Sequence, residues 1–204
     1  MDYVDKCIII LELLITIHYL HSLKYIYQDL KLNKIIINEN KDAKLIDFDH
    51  LIQNDEEQVT QNFTNPAVAP ETHKTYQSDI YSLGYVIHFI LFGEYPVIDN
   101  GKIRMNPNYI FVSCLSEDPN KRPTLNDFIY MFSISFVINN EPNCSKVTKF
   151  NSLYEKYVLK NKLFYFNINK VMNYFLQSAD QNVPKAQFNL GVFYHIGQYV
   201  TLDI

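Results

Sequence analysis

Residues 3–22 contain neither Gly nor Pro, and their apolar side chains fall on almost every face of a helix. A helix patterned in this way must be buried nearly all round, so the rest of the chain has to wrap around it. The chain can do so: 48% of its 204 residues are hydrophobic and only 20% are charged, which excludes global disorder and bounds the fold at one or two domains.

The same apolar character raises the question of a membrane. Cys7 to Ile17 is broken by Glu12, and Ile80 to Phe92 contains Ser82, Gly84 and His88. Both stretches are shorter than the ~18–20 residues that cross a bilayer. The first also lacks the basic start and small-residue cleavage site of a signal peptide. Both read as buried helices of a soluble, cytoplasmic protein. A net charge of −4 with no Lys/Arg run argues against nucleic acid as a partner. Cys7, Cys114 and Cys144 are far apart and odd in number, with no Cys/His cluster for zinc, and read as buried reduced thiols.

Further along, residues 34–38 and 43–47 are short and β-branched and predict a small hairpin. Residues 49–70 are polar and predict a loop. Over 78–93, Ile80, Leu83, Ile87, Ile90 and Leu91 recur at helical spacing, and Gly93 and Pro96 close the helix. Residues 94–108 read as an irregular connection. Residues 108–115 and 124–132 read as helices, the second capped by Thr124 and Asp127. Composition turns polar near 138–147, which suggests a linker. Helical patterns follow at Leu153 to Phe166, Val171 to Ala179 and Ala186 to Tyr194.

Six elements in order carry a resemblance. They are Tyr27-Gln28-Asp29-Leu30-Lys31 with Lys34, then Asp47-Phe48-Asp49, Ala69-Pro70-Glu71, Asp79 with Gly84, and the segment Cys114 to Thr124 holding Arg122. This series resembles the C-terminal lobe of a eukaryotic protein kinase, with its His-Arg-Asp loop, Asp-Phe-Gly and Ala-Pro-Glu. The resemblance implies ATP and Mg²⁺ as cofactors. It implies that Asp29 orients the substrate hydroxyl, Lys31 sits near the transferred phosphoryl group and Asp47 binds the metal. Thr64, before Ala-Pro-Glu, and Lys31 point to the serine/threonine branch. Glu71 and Arg122 are implied to form a buried salt bridge, and Asp79 to hold the catalytic loop's backbone.

The departures from the family are as informative. Lys34 stands where the family has a metal-ligating Asn. At ~4 Å and an effective dielectric near 20, two unit charges interact by about 4 kcal/mol, and a divalent ion doubles that. An inward Lys34 should repel the metal; it could also pair with Asp47 or with a nucleotide phosphate, or point to solvent. Gln28 replaces an arginine and cannot salt-bridge a phosphorylated loop. Asp49 replaces a flexible glycine. Tyr27 replaces a histidine and can still pack on Phe48. The Gly-rich loop and Lys–Glu pair of the family's small lobe are not found, so an exposed apolar face is expected where that lobe would pack.

Asn169 to Val200 resembles the Sel-one-like repeat, a relative of the tetratricopeptide repeat, through Ala179, Ala186, Leu190-Gly191, Tyr194 and Gly197. The implied fold class is mainly α: a kinase-like C-terminal lobe with a small β-hairpin over 1–137, a linker over 138–149, and incomplete helical hairpin repeats over 150–204. The implied function is a kinase-family domain that is truncated or catalytically impaired and binds other proteins through its repeats. The alternative is an active serine/threonine kinase.

Overall fold

A computed structural model describes residues 1–54, 66–99, 102–106, 109–138, 145–159 and 168–195. Its centre is helix α1 (Tyr3–Ser22), in which Cys7 to Leu11, Leu13, Leu14 and Ile17 are all buried. Asp2 caps it by accepting the Asp5 N–H. Helix α2 (Tyr76–Phe92) packs against α1 and starts two residues earlier than the apolar period alone predicts. Thr75 and Ser78 form a reciprocal capping box there, which extends the helix past its apolar stripe. At the other end Gly93 takes φ 81°, the left-handed C-cap that glycine adopts without strain.

Between the two helices lie four short strands. β1 (Tyr25–Ile26) pairs antiparallel with β4 (Ile52–Gln53), and β2 (Ile35–Ile37) pairs with β3 (Ala43–Leu45) in the register Ile35↔Leu45. The β2–β3 hairpin is the one expected. The β1–β4 ladder is a correction, because residues 49–70 read as loop; two-residue strands are too short to show an alternating pattern. A further hairpin, β5 (Val97–Asp99) with β6 (Lys102–Arg104), lies within the stretch read as irregular.

The expected helix at 108–115 is replaced by a tight 3₁₀ turn at Val112–Leu115. Tyr109 to Leu115 are buried on every side, so no helical stripe is needed, and the Tyr109 hydroxyl donates to the Gly84 carbonyl at 2.6 Å. Helix α3 (Leu125–Ile138) begins at the expected Thr124–Asp127 cap, each residue bonding the other's backbone N–H.

Residues 145–149, read as linker, begin helix α4 (Ser145–Tyr154). Phe150 is fully buried and stacks on Phe136 at 3.7 Å. Lys146 pairs with Asp2 and Asp5, and Lys149 with Asp42. A π-helical turn at Glu155–Leu159 follows. Helices α5 (Ile168–Asp180) and α6 (Pro184–His195) pack together as a hairpin. They rest on the same core: the Tyr174 hydroxyl donates to the Arg122 carbonyl, the Ser178 hydroxyl to the Ile110 carbonyl, and the Asn189 amide to Ser135. The molecule is thus mainly α with small hairpins. Among the described residues, no helix is long and apolar enough to cross a membrane. Cys7 and Cys114 are buried and not in a disulfide, and Cys144 lies outside the described residues.

Candidate functional site

The loop after α1 turns sharply. Lys24 takes φ 65° and Gln28 φ 67°, and the Asp29 N–H donates to the Tyr27 carbonyl at 2.9 Å. That is a γ-turn with a non-glycine residue at positive φ, a strained arrangement that persists only when its surroundings enforce it. Asp79, fully buried in the first turn of α2, enforces it. Its carboxylate accepts the Tyr27 N–H at 2.8 Å and the Gln28 N–H at 2.9 Å. His21, at the end of α1, adds a third bond at 2.8 Å. His21 escaped the sequence reading, since nothing in the sequence separates it from His18.

The turn presents Asp29, which is 6% exposed. Its Oδ2 lies 2.8 Å from the Lys31 ammonium and 3.8 Å from that of Lys34. Lys34 ends a 3₁₀ turn (Leu32–Lys34), and its carbonyl accepts the Ile46 N–H at 3.0 Å, which extends the β2–β3 ladder by one rung. This rung sets Lys34 beside Asp47, and the two side chains form an ion pair. Of the three outcomes open for Lys34, pairing with Asp47 is the one seen. Asp47 itself takes φ 63°. The Tyr27 hydroxyl donates to the Ile46 carbonyl, and its ring meets Phe48 edge-on at 5.8 Å, so the tyrosine does pack where a histidine is usual. Burial, with Asp29 and Asp79 adding, pushes the Tyr27 phenol up to about 12, so it remains a donor.

The four charged side chains Asp29, Lys31, Lys34 and Asp47 therefore lie together and compensate one another. Mg²⁺ requires several hard oxygen ligands in near-octahedral array at about 2.0–2.1 Å. A lysine ammonium on the Asp47 carboxylate supplies no such ligand and adds like charge, so these residues do not fit the ion.

A second cluster braces the site. The Arg122 guanidinium is fully buried and grips Glu71 with two bonds of 2.7 and 2.8 Å. It also donates to the carbonyls of Gln77 and Ser116, and lies 4.9 Å over the Tyr81 ring. Burial disfavours the charged Glu71, yet bonds from Arg122 and Ser78 outweigh it and hold the carboxyl below its usual range. Lys74, between the stretches that the sequence reading covers, is buried and donates to the Ala69 and Glu71 carbonyls. Burial lowers its pKa, and Glu71 partly counters this. Thr64 lies outside the described residues. Ile36, Phe48 and Ile37 are 52%, 44% and 43% exposed.

The family model "Protein kinase domain" matches residues 5–110. The chain is 28% identical over 147 residues to a probable serine/threonine-protein kinase of Zea mays, covering 58% of this chain and 23% of that protein. It is 30% identical over 155 residues to the dual specificity protein kinase zak2 of Dictyostelium discoideum, covering 66% of this chain and 24% of that protein. It is 29% identical over 135 residues to protein-tyrosine kinase 6 of Mus musculus, covering 53% and 30%. The chain thus spans about a quarter of the length of these three relatives. With more than half of its residues matched by the family model, the chain belongs to the protein kinase domain family.

Proposed function

We propose that this chain is a kinase-family domain with impaired phosphoryl transfer that works by binding other proteins. The observation that carries this reading is the Lys34–Asp47 ion pair, at the position from which the family manages the charge of the transferred phosphate. Phosphoryl transfer depends on positioning and on charge neutralisation by metal. A cleft whose acidic groups are already compensated by lysines has lost part of that apparatus. Gln28, unable to salt-bridge a phosphorylated loop, adds to the loss. Helices α5 and α6 supply the binding surface as part of a Sel-one-like repeat. The exposed Phe188, Tyr194 and Leu176 on these helices support that role. The buried, unbridged cysteines Cys7 and Cys114 support a reducing, cytoplasmic setting.

A second reading is an active kinase that moves the ATP γ-phosphate to a serine or threonine hydroxyl. The retained Asp29–Lys31 contact at 2.8 Å favours it. Incubation with γ-³²P-labelled ATP, Mg²⁺ and a basic acceptor protein decides between them. The first reading expects no label above that given by Asp29→Ala. Label that disappears in Asp29→Ala would establish the second.

A further inference from the structure

The Lys34 side chain does more than cancel a charge. Its backbone is fixed from both sides: its N–H donates to the Lys31 carbonyl at 2.9 Å, and its carbonyl accepts from Ile46 at 3.0 Å. Its ammonium touches Asp47, lies 3.8 Å from Asp29 Oδ2, and has a side chain only 14% exposed. It stands between the two carboxylates that the family resemblance assigns to metal and substrate, and Lys31 already holds the same Asp29 oxygen at 2.8 Å. We propose that Lys34 is a tethered cation occupying the metal position at Asp47, so that this cleft excludes divalent ions, and that loss of the Lys34 charge alone creates a divalent-cation site. The inference rests on the impaired-kinase reading and gives it a physical cause.

Three observations carry it. A divalent ion at Asp47 would have to displace an ammonium already in contact with the carboxylate, against repulsion between like charges. The backbone bonds on either side keep the root of the Lys34 side chain facing Asp47. Among the described residues, no group of three or more His, Cys, Asp or Glu side chains could hold a metal ion. With an amide at position 34, by contrast, an Asp47 carboxylate oxygen and a neutral amide oxygen would face one another, a hard-ligand pair suited to Mg²⁺ or Mn²⁺.

The test is a Mn²⁺ titration of the full chain, with free ion followed by its electron paramagnetic resonance signal and folding followed by thermal melting. Wild type is expected to show no saturable site up to about 1 mM, weaker than ordinary dedicated oxygen-ligand sites. Lys34→Asn is expected to gain a single site at least about tenfold tighter, the scale set by removing one nearby positive charge. Adding Asp47→Asn should abolish it. Lys34→Met, which removes the charge without adding a ligand, should gain less and decides the matter if Lys34→Asn melts early. A wild-type Mn²⁺ site lost in Asp47→Asn would overturn the inference. So would folded Lys34→Asn and Lys34→Met chains that bind no better than wild type. The labelled-phosphate assay on wild type is independent: transfer there would overturn the impaired-kinase reading, whatever the Mn²⁺ result.

Discussion

Replacing Arg122 by Leu should be among the most damaging single changes available to this chain. The substitution removes both bonds to Glu71, whose side chain is 15% exposed, and leaves the carboxylate the bond from the Ser78 hydroxyl. The carbonyls of Gln77 and Ser116 lose the bonds that Arg122 donates. Breaking a buried pair from one side costs about 3–5 kcal/mol, because the surviving charge stays in low dielectric. Total stability is of the order of 5–15 kcal/mol, so the melting temperature should fall by roughly 6–20 °C. Glu71→Gln keeps an acceptor for Ser78 and for one Arg122 nitrogen but leaves the buried guanidinium without its counter-charge, and should also cost about 3–5 kcal/mol. The double variant should cost less than the two single costs combined, because once Glu71 is neutral Arg122→Leu no longer strands a charge. Urea unfolding followed by circular dichroism measures all three. The sign of the pH effect follows from the lowered Glu71 pKa: its contribution is present above the unfolded carboxylate value and is lost as pH falls through the folded one. Glu71→Gln should therefore flatten the acid limb of the stability profile. Strict additivity, or an Arg122→Leu cost below about 1 kcal/mol, would refute the assignment of Arg122 as the brace of this lobe.

Other predictions concern single contacts. Asp79→Ala should deprotect the Tyr27 and Gln28 amides in hydrogen exchange, since both donate to that carboxylate; unchanged protection would show that another element holds the turn. Gly84→Ala would place a Cβ 2.7 Å from Cys114 Cβ and 3.2 Å from Leu115 Cδ2. The clash, about 1–3 kcal/mol, should exceed the gain of about 1 kcal/mol in helix propensity, so the urea midpoint should fall. His88 is buried, with one ring nitrogen on the Glu94 carbonyl and the other accepting the Asn106 N–H, which requires the neutral ring. Burial lowers its pKa, so the unfolded chain takes up a proton first and stability should decline as pH drops below about 6.5. His18, also lowered chiefly by burial, acts in the same direction, and His88→Gln should shrink the slope without removing it.

What could be read from the sequence divides along physical lines. The buried helices were legible because apolar spacing and caps are local: α1, α2 and the Thr124 start of α3 follow from residues within a few positions of each other. The motif residues were legible through their order along the chain, and Asp29, Lys31, Lys34 and Asp47 do come together in space. The β1–β4 ladder was not legible, because two-residue strands separated by 25 residues of chain leave no local pattern. Nothing in the sequence around Lys74 marks it; only the folded chain shows two carbonyls converging on it. The direction of Lys34 was open for a related reason. A shift of one residue in hairpin register reverses every side chain, and the register Ile35↔Leu45 is what sets Lys34 beside Asp47.

That distinction bears on how such a cleft can change its chemistry and keep its fold. Asp79 and Arg122 are fully buried, and each holds several groups that would otherwise be unsatisfied, so a substitution there threatens the whole lobe. The lysines of the cleft are different. Lys34 itself is only 14% exposed, but its partner Asp47 is 32% exposed and Lys31 30%, so water reaches the carboxylate end of the pair. Ion pairs reached by water are worth only about 0–1 kcal/mol. An exchange of Asn for Lys at position 34 is thus nearly free in folding while it inverts the electrostatics of the site. Lys34→Asn should accordingly melt within a few degrees of wild type, since about 1 kcal/mol shifts the midpoint by only about 2–4 °C in a chain of this size. A large loss of stability in that variant would mean that Lys34 is part of the scaffold, and that the chemistry and the fold are not separable here.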